Sequence, residues 1–392
     1  MTTQNPKAYT LMTPGPVPVP REVLEVLGHQ MEHHRTPEFI SRYKQVLDRL
    51  KLVFKTEQPV YIHTSTGTGA MESALVNCLS PGDKVVAIVS GKFGERWAEI
   101  ASTYGAQVIR IEVPWGQVVK TEQLENALIQ NPDTKIVLCQ ACETSTGVLH
   151  PIKELAEIIK KTSAIFVVDG ITALGAVPLP MDDWSLDVVI AGSQKAFMLP
   201  TGLAFISFSK KAQALFESAR CPRYYFDIRK EQKAMLSGES AFSSSVSNIR
   251  ALDVILNLFL SKGLATVQNR IQALSDATRA AVDIMGLQSF AEVACPSLTA
   301  ISLPAGIDGQ IVRSKMEKDH QAVVMGGQDQ LKGKIIRIGH MGAISDSDLF
   351  LTLDALAQSL NSIRPTISEE QLNKALQSAK EILTRTPAFF SC

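Results

Sequence analysis

Long apolar runs are missing from this chain. No stretch approaches the length needed to span a bilayer, and the opening MTTQNPKAYT is polar where a secretion signal would be apolar. Net charge is missing as well: 39 Lys and Arg balance 39 Asp and Glu. That balance argues against nucleic acid or an anionic membrane surface as the main partner, and it favours self-association. Cysteine is sparse, at positions 78, 139, 142, 221, 295 and 392, and only Cys139 and Cys142 are close together. There is no second C-x-x-C and no C-x-x-H, so neither a metal site nor a disulfide framework is expected. We read the pair as two small residues at a buried strand end. Internal repeats and low-complexity tails are also lacking. These absences imply a protein of a reducing compartment, and a cytoplasmic location is expected.

What is present is ordinary globular material: 392 residues, 45% hydrophobic and 20% charged. That length exceeds one average domain. Pro14, Pro16, Pro18 and Pro20 alternate near the start and forbid a helix, so residues 1–20 are expected to be an extended arm. From about 58 to 208, short β-branched runs alternate with amphipathic stretches near 69–79, 93–104, 121–130 and 151–161. This pattern predicts a mostly parallel seven-stranded sheet with helices on both faces. Past residue 262 the texture changes. A long helix over 264–285 leads to strands near 298–303, 322–325 and 334–338, with helices over 309–319, 346–361 and 368–384. The expected class is therefore α/β, with a large domain over 21–262 and a smaller α+β domain over 263–392.

Three features within the first region carry chemistry. Ser65-Thr66-Gly67-Thr68-Gly69 follows one apolar run, Asp169 closes another, and Lys195 follows a third in A-G-S-Q-K-A. Each has a bland explanation alone: a capped turn, a capping carboxylate, a surface lysine. Their order is the one a pyridoxal 5′-phosphate site requires. The aldehyde needs an amine, the ring nitrogen an anion, and the phosphate a Gly- and hydroxyl-rich helix start. A lysine desolvated at a strand end has its pKa lowered, as proton transfer demands.

The chain resembles a class V pyridoxal-phosphate aminotransferase, of the alanine/serine–glyoxylate branch and of fold type I. The likeness runs through Thr13-Pro14-Gly15-Pro16, TGTGAMESAL (66–75), ETSTGVL (143–149), VDGITALG (168–175), GSQKA (192–196) and IRIGHMG (336–342). It implies Lys195 as the Schiff-base lysine and Asp169 as the ring-nitrogen partner. Thr66, Gly67 and Thr68 would hold the phosphate, Thr144 would lie near the 3-hydroxyl, and Gln194 would flank the lysine. Arg337 would grip the substrate carboxylate, beside Gly15. The ring-stacking aromatic, often tryptophan in such enzymes, falls on Phe93, which still stacks; Trp97 reads as core. Near 240–245 the family often lends a Tyr and a Thr to the neighbouring subunit's phosphate. Here Ser243 is the best match and the tyrosine is absent. His34-Arg35-Thr36-Pro37 reads as a helix start near the substrate pocket. A homodimer with shared active sites is implied.

The function implied is amino transfer from alanine or serine to glyoxylate by ping-pong chemistry. A cysteine desulfurase-like lyase is an alternative within the cofactor class, although such relatives carry His before the lysine, where Gln194 stands. Some relatives carry the label of a soluble hydrogenase subunit, but redox centres need several spaced thiolates. A regulator that has lost catalysis is a further alternative, opposed by Lys195, Asp169 and Arg337 together.

Overall fold

The structure, a computed structural model, describes residues 9–386. Among the described residues fifteen strands and thirteen α-helices follow in chain order. The strands are β1 (Thr10–Leu11), β2 (Val60–His63), β3 (Lys84–Val89), β4 (Gln107–Glu112), β5 (Ile136–Gln140), β6 (Cys142–Glu143), β7 (Val148–Leu149) and β8 (Ile165–Asp169). They continue as β9 (Val188–Gly192), β10 (Ala204–Phe208), β11 (Gln288–Ser289), β12 (Leu298–Ser302), β13 (Ala322–Val323), β14 (Met325–Gly326) and β15 (Ile335–Gly339). The helices are α1 (Arg21–Leu27), α2 (Pro37–Phe54), α3 (Gly67–Val76), α4 (Lys92–Thr103), α5 (Thr121–Gln130) and α6 (Ile152–Ile159). After these come α7 (Lys210–Gln213), α8 (Ile228–Met235), α9 (Val246–Lys262), α10 (Leu264–Ile284), α11 (Gly309–His320), α12 (Asp346–Ile363) and α13 (Glu369–Leu383).

Seven strands form the large sheet in the order β2-β10-β9-β8-β5-β3-β4. Only β10 runs antiparallel to its neighbours; the ladders among β9, β8, β5, β3 and β4 are parallel. The apolar runs explain this. Val137, Phe166 and Val168 enter the core on one face, while Ile136, Leu138, Ile165 and Val167 enter the core on the other. Side chains alternate at every residue along a strand, so a continuous apolar run buries both faces, as a parallel sheet requires.

A second sheet, β11-β12-β15-β14, is antiparallel. On β15, Ile336 and Ile338 pack into a core with α10, α12 and α13. Alternation turns Arg337 to the opposite face. The polar N-termini of the last two helices are closed locally, by capping boxes of Ser345 with Asp348 and Ser368 with Gln371. Among the described residues no single helix is long and apolar enough to cross a membrane; α9 and α10, the one apolar pair, bend by 90° where they meet.

The arm differs from a free extension. Thr10–Leu11 pairs in parallel with β13, and Met12, Thr13 and Val17 are buried. The strand expected over 322–325 is accordingly split. Ala322–Val323 is claimed by the arm, while Met325–Gly326 pairs with β15. From there the arm becomes a strap. Gly339 N–H donates to Met12 O, and Ala343 N–H donates to Pro18 O.

Candidate active site

Lys195 sits in the turn between β9 and β10. Ser193 holds that turn, donating from its hydroxyl to Pro200 O at 2.8 Å and accepting from Leu203 N–H at 3.1 Å. The lysine is only 9% exposed, and its Nζ donates to the carbonyl oxygen of Pro14 at 2.9 Å. Burial lowers its pKa to about 8; the nearby Cys142 thiol opposes the shift and the Arg337 charge adds to it. Gly15 passes directly over the side chain. A Cβ there would lie 2.4 Å from Nζ, and its φ of +139° suits glycine alone.

Asp169 ends β8, in register with Gln140 of β5 and Ile190 of β9. Its Oδ1 accepts from Ile171 N–H at 2.9 Å and its Oδ2 from Trp97 Nε1 at 3.2 Å. Burial raises its pKa to about 6 against those two donors. Trp97 is fully buried, as a core residue should be, but it also bonds the Asp169 carboxylate.

The 64–69 loop opens α3. Thr66 is the N-cap residue, with extended backbone, yet its hydroxyl makes no capping bond. Gly67 lets the Ile171 side chain lie close, since a Cβ there would meet Ile171 Cδ1 at 2.5 Å and push it aside. Opposite, α4 starts against Glu143, whose carboxylate accepts from Phe93 N–H at 3.2 Å and from Gly94 N–H at 3.1 Å. A buried carboxylate at a helix start satisfies otherwise unbonded donors. Burial still raises the Glu143 pKa.

Thr66, Gly67, Thr68, Phe93, Thr144, Asp169, Gln194 and Lys195 line one cavity at the C-terminal ends of the parallel strands. That is where open α/β sheets hold ligands. Gln194 Oε1 is buried in that wall without a hydrogen-bond partner among the described residues. Thr144 and Thr172 share a hydroxyl–hydroxyl bond of 2.7 Å. Arg337 reaches this wall from the second sheet: Nη1 donates to Thr144 O at 2.7 Å and Nε to Gly326 O at 3.0 Å. Its Nη2 bonds nothing among the described residues. Burial lowers its pKa to about 10, with the Glu143 charge opposing.

Ser243 lies elsewhere in this chain. It lines a small cavity with Tyr43, His63 and Tyr225, away from Lys195. The helix start at Thr36 is a true one: its side chain accepts from Phe39 N–H at 3.3 Å. The sequence reading missed Arg96, Cys142, Ile171 and Thr172, which also line the Lys195 cavity. Arg96 was legible as the residue one turn past Phe93. Cys142 contacts Cys295, not Cys139, so the C-x-x-C spacing has no meaning in space.

The profile of the family described as Aminotransferase class-V matches residues 21–345. A protein of Synechococcus sp. (strain PCC 6716) named "Soluble hydrogenase, small subunit" is 40% identical over 88% of this chain and 91% of its own length. The L-aspartate–glyoxylate aminotransferase of Paracoccus denitrificans is 34% identical over 99% of this chain and 98% of its own. Among solved structures, the alanine–glyoxylate aminotransferase of Nostoc sp. superposes with a TM-score of 0.87 at 29% identity, covering 92% of this chain and 97% of that one.

Proposed function

The chain belongs to the class V aminotransferase family, and we propose that it moves the amino group of a small L-amino acid, alanine or serine, to glyoxylate. It is a pyridoxal-phosphate-dependent transaminase. The observation that carries this reading is that the Lys195 amine, the Asp169 carboxylate and the Thr66–Thr68 loop line a single cavity. Both aminotransferases reported above have glyoxylate in their names, which supports that acceptor.

The donor set fits the cofactor, and the orphaned Gln194 Oε1 marks a wall that awaits a polar ligand. Lys195 would take the aldehyde end, Asp169 the ring nitrogen and Thr66, Gly67 and Thr68 the phosphate. Phe93 would cover the ring face, with Thr144 and Gln194 at its edges. When bound, pyridoxal phosphate supplies an electron sink for the bond broken at the substrate Cα.

The remaining work belongs to the chain. Lys195, with its pKa near 8, holds a useful fraction of free amine near neutrality and so can accept and return a proton. Arg337, pinned through Nε and Nη1, keeps Nη2 for the substrate carboxylate. Gly15, lacking a Cβ, leaves the lysine room. The buried strap keeps bulk water from the amine.

We further propose a homodimer in the cytoplasm, in which Ser243 faces the neighbouring subunit's phosphate site. Its position away from this protomer's own cavity is compatible with that role. An arm of residues 1–20 and domains over 21–262 and 263–392 are proposed as the units of the chain. Desulfurase chemistry fits less well. Gln194 precedes the lysine, and Cys295 is fully buried where a mobile thiol would be needed. The hydrogenase name fits less well again. Among the described residues no three His, Cys, Asp or Glu side chains converge as metal ligands.

The test is an absorbance scan of the purified protein with added pyridoxal phosphate. A bound-cofactor band that shifts on L-alanine or L-serine and returns on glyoxylate supports the proposal. Sulfide release from L-cysteine would replace it with the lyase reading, and no cofactor band at all would sink both.

A further inference from the structure

One cationic side chain in the cavity has no role in the reading above. Lys195 and Arg96 are the two cations lining it, and Arg96 is in no ion pair among the described residues. Two contacts aim it. Its Nη1 donates to Thr68 Oγ1 at 3.3 Å, and its guanidinium carbon lies 4.9 Å from the centre of the Phe93 ring, one helical turn back along α4. Stacking on an aromatic ring and bonding to a fixed hydroxyl both restrict a long side chain that would otherwise sweep through solvent.

The group beside it is poor in charge and rich in donors. Gly67 and Thr68 are the first two residues of α3, so their N–H groups have no partner within the helix. The Thr66 hydroxyl is likewise unused as a cap. A helix start supplies about half a positive charge. A phosphate monoester brings roughly −1.5 to −2 at neutral pH. The loop alone leaves most of that charge uncompensated, and Lys195 is committed to the aldehyde end.

We propose that Arg96 is the cation that pairs with the cofactor's phosphate, pre-aimed at the Thr66–Thr68 loop by Thr68 and Phe93. The inference rests on the pyridoxal-phosphate reading of this cavity and adds a residue to it. An arginine fork suits a phosphate oxygen pair better than an ammonium does.

The test compares full-length wild type, Arg96→Gln and Arg96→Lys, each stripped of cofactor and titrated separately with pyridoxal phosphate and with pyridoxal, which lacks the phosphate. The affinity of Arg96→Gln for pyridoxal phosphate should fall by about tenfold or more, with pyridoxal binding unchanged and Arg96→Lys in between. Inorganic phosphate should protect the wild type against thermal unfolding more than it protects Arg96→Gln. Equal affinities in all three proteins, or equal losses for both ligands, would overturn the proposal. So would unchanged cofactor affinity with weakened saturation by L-aspartate but not L-alanine, which would make Arg96 a site for a substrate's second carboxylate. A wild type that binds no pyridoxal phosphate would instead overturn the underlying reading.

Discussion

The indole nitrogen of Trp97 donates to Oδ2 of Asp169 at 3.2 Å, joining α4 to the end of β8. The same α4 carries Phe93 in its first turn, on the cavity wall, so one helix sets both that aromatic and a bond to the Asp169 carboxylate. Trp97→Phe fills most of the space but removes the donor. A hydrogen bond to a charged group contributes about 1.5–3 kcal/mol, so pyridoxal-phosphate affinity should fall on the order of tenfold. Because the lost bond favours the carboxylate, the loss should be larger at pH 6 than at pH 8. A loss independent of pH would point to packing instead.

Lys195 titrates near 8, below its ordinary value near 10.4, because burial penalises the ammonium. The folded chain therefore binds fewer protons than the unfolded chain between about pH 8 and 10.4. Over that window this group makes the cofactor-free protein more stable as pH rises, and below it the penalty is constant. Cofactor capture needs the free amine. Its rate, followed by stopped-flow absorbance, should rise through an apparent pKa near 8 and then level, and Lys195→Arg should abolish it.

Asp169 shifts the other way, up to about 6. A raised carboxylate favours folding below its unfolded value near 3.9 and loses that contribution as pH climbs through 6. For the cofactor the consequence is opposite: the anion that receives the ring nitrogen exists only above about 6. Equilibrium affinity for pyridoxal phosphate should therefore weaken more steeply below pH 6 in the wild type than in Asp169→Asn, where only the other titrating groups remain.

Arg337→Gln should raise the KM for the amino donor by roughly ten- to a hundredfold, with a smaller change in kcat. Steady-state kinetics with L-alanine and L-serine would check it. Unchanged saturation would remove Arg337 from carboxylate binding.

Gly339→Ala places a Cβ 2.0 Å from Thr13 O, against backbone that cannot rotate away. The strap must shift, at a cost of about 1–3 kcal/mol by overpacking, readable as a lower urea midpoint. Gly15→Ala should lower the midpoint as well, through its φ of +139°, and in addition slow cofactor capture, because its new methyl meets Lys195 Nζ.

The large sheet was legible because its strands are continuous apolar runs, such as Ile165 to Val168, whose burial on both faces admits one arrangement. That Lys195, Asp169 and the Thr66 loop meet at one cavity was legible because strand ends concentrate side chains at one rim. Residues 322–325 were misread as one strand because the partner that splits them, Thr10–Leu11, lies far away in sequence. The bond from Trp97 to Asp169 was missed for a different reason. Helical periodicity reports which side a residue faces, and cannot separate a tryptophan packed on oil from one bonded to a carboxylate.

The strap also orders events in time. Residues 12–18 leave the ribosome early, but the Gly339 and Ala343 amides that hold them are made near the end of synthesis. A nascent chain that has already built β8 and β9 thus carries Lys195 without its cover, the Pro14 carbonyl having nothing to rest against. Until β15 is complete that amine lies open to water, where without burial it returns toward the ordinary lysine pKa and stays protonated, so completion of the strap is also what readies it.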